Sequence, residues 1–376
     1  MVLNANEDTM RHHLIKNFLI LFFFNCLDRL RKKPDLPHRV KKIAIFSTTG
    51  LGDTLWSTPA IKALKTAYPD CHLTIVTSAV GKEVLLHHPL IDQVIVHSLF
   101  SFWQLFRQLR LLHLDAILIF HSSQRKMFLL AKLLQPFYLI STSGRNKSLD
   151  PLISHLIKAD PDEHEIHRRL KLLEPLNVPI PSNLSLDLFI TDDERLEADQ
   201  FLKAQMILPT RPLIGIHPGS KDSYKRWPEA DFVAVAQALK AKYACDILLT
   251  GTSDEAQMIY RISRKVPGSI AIVGQVSLRV VMALMAKMRV FLTNDTGPMH
   301  IGYALKVPTV AIFSPTSPMR CGPLGAMNSF PLYKKRCCTP CLQRQCRDPF
   351  CLRQISQHEV LHTIDAIMSR EEPGKK

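Results

Sequence analysis

The sequence predicts an α/β protein with two separate parallel sheets, and three observations predict it. Short, continuous apolar runs alternate with amphipathic stretches from Val40 to about residue 175, and the same rhythm restarts at Leu213. Strands buried on both faces read as unbroken apolar runs, and a parallel partner needs a helical crossover before it. The chain has 376 residues, more than one hydrophobic core ordinarily serves, so two domains are expected. Glycine supplies only 14 of them, which disfavours a loop-dominated or repeat-rich all-β architecture. Each half is therefore expected to be a Rossmann-like domain.

Residues 1–39 stand apart as an apolar and basic extension. The run Phe18 to Phe24, prolonged by Asn25, Cys26 and Leu27, is followed by Arg29, Arg31, Lys32 and Lys33. About ten apolar residues cannot cross a hydrocarbon core that needs roughly twenty. The charged stretch after them lacks the small-residue cleavage site of a secretory signal. Residues 14–33 therefore read either as an interfacial anchor for an anionic inner leaflet or as a helix packed on the protein.

The first domain is expected over residues 40–190, with strands at Ile43–Phe46, Leu73–Val76, Val94–Val96, Ala116–Phe120 and Phe137–Ile140. Helical stretches Thr54–Ala67, Phe102–Leu112 and Arg125–Leu134 lie between them. Residues 191–212 read as a linker holding one helix, opened by the capping-type start Thr191-Asp192-Asp193-Glu194. The second domain is expected over residues 213–352, with strands at Leu213–Ile216, Asp246–Leu249, Val290–Thr293 and Thr309–Phe313. Residues 353–376 supply a terminal helix, Ser356 to Met368, expected to pack back across the first domain, and a tail.

The formal net charge of +15 attracts anions: nucleic acid, an acidic membrane surface or a phosphorylated small molecule. The basic residues are dispersed and no nucleic-acid module is recognisable, so nucleic acid is not expected as a partner.

Ligands of open parallel sheets bind at the carboxyl ends of strands, which singles out four loops. The first, Ser47 to Thr54, offers Thr49, Gly50 and Gly52 as a turn and brings Asp53 to the mouth of a helix, as an N-cap or as a reactive carboxylate. A dinucleotide fingerprint would need glycine at Leu55, and Asp70 precedes the second strand instead of ending it, so a nicotinamide site is disfavoured. The second loop, His217-Pro218-Gly219-Ser220 to Lys225-Arg226-Trp227-Pro228, reads as a diphosphate cradle or as a basic surface loop over a buried tryptophan. The third, Thr250 to Glu255, offers a carboxylate for ribose or base, although helix first turns favour acidic residues anyway. The fourth, Thr293 to His300, opens a helix beside glycine and so suits an anion, with Asp295 free to bind sugar hydroxyls. Seen alone, Asp295 and His300 would be a cap and a core histidine.

Together these loops resemble glycosyltransferase family 9, the lipopolysaccharide heptosyltransferases, from about Lys42 to Ile364. The resemblance rests on Gly52-Asp53 followed by Pro59-Ala60, on Lys225-Arg226-Trp227-Pro228, on Gly251 with Glu255, and on Asn294-Asp295-Thr296-Gly297-Pro298-Met299-His300. It implies a GT-B fold, two Rossmann-like domains with parallel sheets facing across a cleft. It also implies an inverting, metal-independent transfer of heptose from ADP-L-glycero-D-manno-heptose to a lipid-linked anionic inner-core acceptor built on Kdo/heptose-lipid A. Asp53 then matches the general base, Lys225 the cation that meets the leaving diphosphate, and Glu255 a nucleoside contact. Asp295 matches a contact to sugar hydroxyls, with Thr296, Gly297 and His300 in the phosphate loop. Ser220 and Thr316 are further donor contacts, and Thr49, Gly50 and Gly52 form the acceptor-side loop. The expected site of action is the cytoplasmic face of the bacterial inner membrane, with the protein peripheral on its surface. The alternatives are another nucleotide sugar or acceptor within the family, or a non-catalytic nucleotide-sugar or lipid-binding relative.

No cofactor is expected for the reaction. Cys338, Cys341, Cys346 and Cys351, in a proline- and arginine-rich loop at 337–351, are spaced either for a structural zinc, for free thiols or for disulfides.

Overall fold

The computed structural model describes residues 20–24, 40–158, 160–325 and 328–370. The chain divides into two compact units. The first gathers residues up to Lys82, Pro89–Pro161 and Ile166–Pro181, and the second gathers Glu83–His88, Asp162–Glu165 and Ser182 onward.

The first unit holds a sheet of β1 (Lys42–Ser47), β2 (His72–Thr77), β3 (Gln93–Val96), β4 (Ala116–His121), β5 (Tyr138–Thr142) and β6 (His155–Ile157). All neighbours are parallel, in the order β3-β2-β1-β4-β5-β6. The second unit repeats this topology with β7 (Leu213–His217), β8 (Asp246–Thr250), β9 (Ser269–Ile272), β10 (Val290–Asn294), β11 (Thr309–Phe313) and β12 (Ser329–Tyr333). Its order is β12-β11-β10-β7-β8-β9, again wholly parallel. In each unit the strand order reverses beside the first strand, between β1 and β4 and between β7 and β10. That reversal is where an open sheet leaves a crevice for a ligand.

The apolar runs take central places. Every residue of β7, β10 and β11 is buried, because helices cover both faces. Gly215 in β7 lets Met288 pack close against the strand: a Cβ there would stand 2.1 Å from Met288 Sδ, and the methionine would have to move. The edge strands β6, β9 and β12 lie outside the sequence expectations, and most of their residues are only partly buried.

Helix Asp192–Ala204 has the expected capping box between Thr191 and Glu194. Arg279 then grips Glu194 through two 2.8 Å bonds within the second unit. The Arg279 guanidinium holds the Glu194 carboxyl down at about 2. The terminal helix Gln357–Met368 corrects the expectation that it packs across the first domain. Its Val360, Ile364 and Ile367 are buried in the second unit's core, and Tyr243 Oη donates to Asp365 at 2.7 Å.

Residues 20–24 are helical. Phe24 enters the first unit's core with Leu105 and Leu109, and Ile20 and Leu21 pack against it. Phe22 and Phe23 remain 60% and 55% exposed. The packed-helix reading therefore holds for three of these five side chains, while the rest of the expected anchor, 14–19 and 25–33, lies outside the described residues. Among the described residues, no helix is long and apolar enough to cross a membrane.

Candidate active site

In the first unit the site forms where β1 ends. The β1–β4 register shifts between Phe46 and Ser47, so Ser47 pairs with His121, the last residue of β4. Such a bulge re-aims side chains. Thr49 Oγ1 lies 2.9 Å from His121 Nδ1 and donates to Asp53 Oδ2 at 2.8 Å. Asp53 stands in the first turn of helix Leu51–Leu55, whose N-cap is Gly50, so its carboxylate is free of the capping role. The other oxygen, Oδ1, accepts from Arg169 Nη2 at 3.1 Å. Arg169 is 1% exposed, and its guanidinium lies 5.2 Å from the Trp56 ring centroid. Burial opposes the Asp53 charge, but the Arg169 guanidinium, His121, the Thr49 hydroxyl and the Gly50 backbone outweigh it. The Asp53 pKa therefore sits below the ordinary aspartate value. The result is an ionised carboxylate, fixed in orientation and still partly open to solvent.

In the second unit, Lys225 Nζ meets Asp295 Oδ2 at 2.7 Å, across 70 residues of sequence. Thr316 Oγ1 donates to the same oxygen, and Cys321 Sγ approaches Asp295 Oδ1 at 3.9 Å. Burial pulls the Lys225 pKa down, but the Asp295 carboxylate more than offsets it, so the ammonium persists at neutral pH. Burial, joined by Asp295, pushes the Cys321 thiol well up and keeps it protonated. Beside this group, helix Gly297–Ala304 begins at Thr296, which makes no side-chain cap bond. Its first N–H groups thus point into the loop without a side-chain cap.

Glu255 belongs to a neighbouring cluster. Its Oε2 accepts from the Thr252 N–H at 2.9 Å, and Arg226 and His217 stand 4.0 and 3.9 Å from its carboxylate. Gly219 packs on the same carboxylate, where a Cβ would be 2.2 Å from Oε1. Burial lowers the His217 pKa despite Glu255, so the imidazole is neutral. Arg226 Nε donates to the Ser220 carbonyl at 2.7 Å, which fastens Ser220 to this cluster. Asn294 stitches the loop to β10: its side chain accepts from the Trp227 N–H at 3.0 Å and donates to the Pro218 carbonyl at 2.8 Å.

A family model described as glycosyltransferase family 9 (heptosyltransferase) matches residues 103–350. The chain belongs to glycosyltransferase family 9. Lipooligosaccharide heptosyltransferase 2 of Campylobacter jejuni is 25% identical over 85% of this chain and 96% of its own. The solved glycosyltransferase family 9 structure from Veillonella parvula superposes with a TM-score of 0.76 at 24% identity, over 89% of this chain and 98% of that one. The structure of Escherichia coli ADP-heptose lps heptosyltransferase II gives 0.72 at 19% identity, over 87% and 98%. The family 9 chain thus has the GT-B fold, and it is a glycosyltransferase.

Thr49, Gly50 and Asp53 come together in one unit, and Lys225, Asp295 and Thr316 in the other, as the loops suggest. Gly52 serves the same turn through its carbonyl, which accepts the Trp56 N–H at 2.9 Å. His300 is 3% exposed, and its ring meets Tyr303 edge-on at 6.0 Å, as a core histidine would. Arg169 escaped the sequence reading because it lies 116 residues from Asp53, in the short helix Glu165–Lys171. The terminal residue of a β-run beside a glycine turn is the signal that would have found His121. The zinc expectation is corrected: among the described residues, no three His, Cys, Asp or Glu are placed to hold a metal ion. Cys338, Cys341, Cys346 and Cys351 are free thiols, and Cys351 is buried beside Leu352 in the short helix Phe350–Arg353.

Proposed function

We propose that this enzyme transfers a heptose from ADP-L-glycero-D-manno-heptose to a Kdo/heptose-lipid A inner-core acceptor, with inversion and without a metal ion. The sugar and acceptor class are supported by the names of the relatives, a lipooligosaccharide heptosyltransferase and an ADP-heptose lps heptosyltransferase. The observation that carries the mechanism is Asp53, an oriented and ionised carboxylate at the carboxyl end of β1. A single inverting displacement forms the new glycosidic bond as the bond to ADP breaks, and the acceptor hydroxyl proton needs a base at that moment. Asp53 takes that proton, while Thr49 and Arg169 hold it in place. Lys225, the open N-terminus at Gly297 and Arg226 meet the negative charge gathering on the departing diphosphate. Asp295 and Thr316 receive sugar hydroxyls, and Glu255 and Ser220 face the nucleoside. Incubation with a panel of nucleotide sugars tests the reading. ADP release that needs both ADP-heptose and a lipid A-core acceptor is expected, and release from a different donor alone would replace the sugar.

The Asp53 environment also fixes a pH dependence. A carboxylate whose pKa is depressed keeps its basic form as pH falls through the ordinary aspartate range, near 3.9, and loses it only below. The acid limb of kcat/KM is therefore expected below that range in the native enzyme. In Arg169→Met, burial acts with less opposition and the limb moves upward. Superposable pH profiles for the two proteins would detach Arg169 from the base.

The reading places the enzyme in the cytoplasm, peripheral on the inner membrane, where its lipid-linked acceptor resides. Support comes from the first unit's exposed aromatic side chains, Phe22, Phe23 and Trp103, the last 62% exposed on helix Phe102–Arg110. Arg107 and Arg110 close that helix and suit an anionic headgroup layer. Because Phe24 is part of the core, truncation would also damage the fold, so point substitutions are the cleaner test. Phe22→Ser/Phe23→Ser/Trp103→Ser is expected to lower co-sedimentation with anionic vesicles about tenfold or more, given the loss of three aromatic anchors. Unchanged partition would remove the membrane from the account.

A further inference from the structure

A cavity of about 1260 Å³ lies in the second unit, at the end of the sheet opposite the donor loops. Its rim takes in Leu213 at the start of β7, Arg289 just before β10, Pro308 just before β11 and Asn328 just before β12. The donor loops leave the other ends of these strands, about 17 Å away along a five-residue strand. The cavity is therefore a separate place, and the proposed heptose transfer makes no use of it.

Its chemistry is lopsided. Six cations line it, Lys203, Arg211, Lys287, Arg289, Lys306 and Arg370, against the single carboxylate of Asp199. Asp199 is already taken by Lys287 at 2.8 Å. Arg289 reaches the Arg370 carbonyl, and the Arg370 guanidinium covers the Phe330 ring at 5.3 Å. Among the described residues, Lys203 and Lys306 have no ion-pair partner. Like charges gathered over low-dielectric walls repel one another and concentrate anions. The remaining wall is apolar and aliphatic: Met206 and Leu208 are 86% and 51% exposed beside Leu202, Ile207 and Met288. Exposed apolar surface grouped in a concave site marks a binding surface. A nucleotide does not match this wall, because its one aromatic ring already carries Arg370.

We propose that this cavity binds a phosphate-headed amphiphile, with the head among Lys203, Lys306 and their neighbouring cations and a single aliphatic chain along Met206 and Leu208. The two sources of such chemistry are a free lysolipid and an anionic lipid in a bilayer.

Calorimetric titration of the full chain with monomeric lauroyl lysophosphatidate tests this, with inorganic phosphate and uncharged lauroyl glycerol as controls. One equivalent is expected to bind, at least about tenfold more tightly than either control, because head and tail each contribute. Raised salt should weaken it. Lys203→Ser/Lys306→Ser is expected to weaken binding about tenfold or more, with melting temperature and transferase activity unchanged. Met206→Asp, at a mostly exposed position, should do the same from the apolar side. Lys225→Ala and added ADP should leave binding as it is. The source is read in the Phe22→Ser/Phe23→Ser/Trp103→Ser background, which removes the aromatic anchor. Phosphatidylglycerol vesicles whose residual binding there is lost on adding Lys203→Ser/Lys306→Ser identify a bilayer lipid as the source, whereas vesicle binding that ignores the added substitutions, or is absent without them, identifies a free lysolipid. Native-like affinity in both variants, equal affinity for either control, or displacement by ADP would overturn the proposal. Because binding is read without turnover, its failure would leave the transferase reading untouched, and the reverse holds as well.

Discussion

Asp53→Asn is expected to lower kcat by roughly 10²–10⁴-fold while leaving ADP affinity nearly unchanged. The amide has the shape of the carboxylate and can still accept from Arg169, which now bonds Oδ1 at 3.1 Å. It cannot take a proton. The loss should appear in kcat and in kcat/KM together, as it does when a contact made only in the transition state is removed. Asp53→Ala adds a second effect, because Arg169 is 1% exposed and would lose its 3.1 Å contact to Asp53. Taking one charged contact from a buried cation destabilises the fold, so the alanine variant should also melt earlier. The comparison separates chemistry from support: asparagine removes the base, and alanine removes the base together with its contact to Arg169. An asparagine variant that turns over like the native enzyme would end the assignment of Asp53.

Much of this was legible along the chain, and the parts that were not share a physical cause. β1, β4, β7, β10 and β11 read cleanly because both their faces are covered, so continuous apolar sequence is their only solution. The edge strands β6, β9 and β12 did not. His155-Leu156-Ile157 and Ser329-Phe330-Pro331-Leu332-Tyr333 have one open side, and polar residues and proline are tolerated there. The same contrast divides the site. Asp53, Lys225, Glu255 and Asp295 sit in loops whose local pattern announces them. Arg169 and His121 are visible only once a helix and a distant strand end are brought to the same turn. The cysteine loop shows the opposite error, in which regular spacing suggests a common centre although Cys351 is turned into a helix beside Leu352. Spacing fixes what a segment is able to reach, and burial decides where each side chain goes.

Lys225→Ala carries the other large expected effect, and it has two separable components. The lysine stands 2.7 Å from Asp295, which is 6% exposed and also receives the Thr316 hydroxyl. Removing one partner of a buried ion pair typically costs about 3–5 kcal/mol, because the survivor stays charged and poorly solvated. Lys225 itself is 17% exposed, which puts the cost toward the lower end. If Lys225 also meets the departing diphosphate, kcat/KM should fall by roughly 10²–10³-fold, the usual scale for losing one stabilising group around developing negative charge. Measured beside Asp295→Asn alone, which alters the sugar contact but keeps the ammonium, the double variant Lys225→Ala/Asp295→Asn decides between these components. Removing the stranded carboxylate should restore most of the melting temperature lost by Lys225→Ala, while the rate stays well below that of Asp295→Asn because no ammonium remains to receive the nucleotide. Recovered stability with a rate equal to that of Asp295→Asn would show that the lysine serves only to neutralise Asp295, and the leaving-group charge would then fall to Arg226 and the N-terminus of the helix that starts at Gly297.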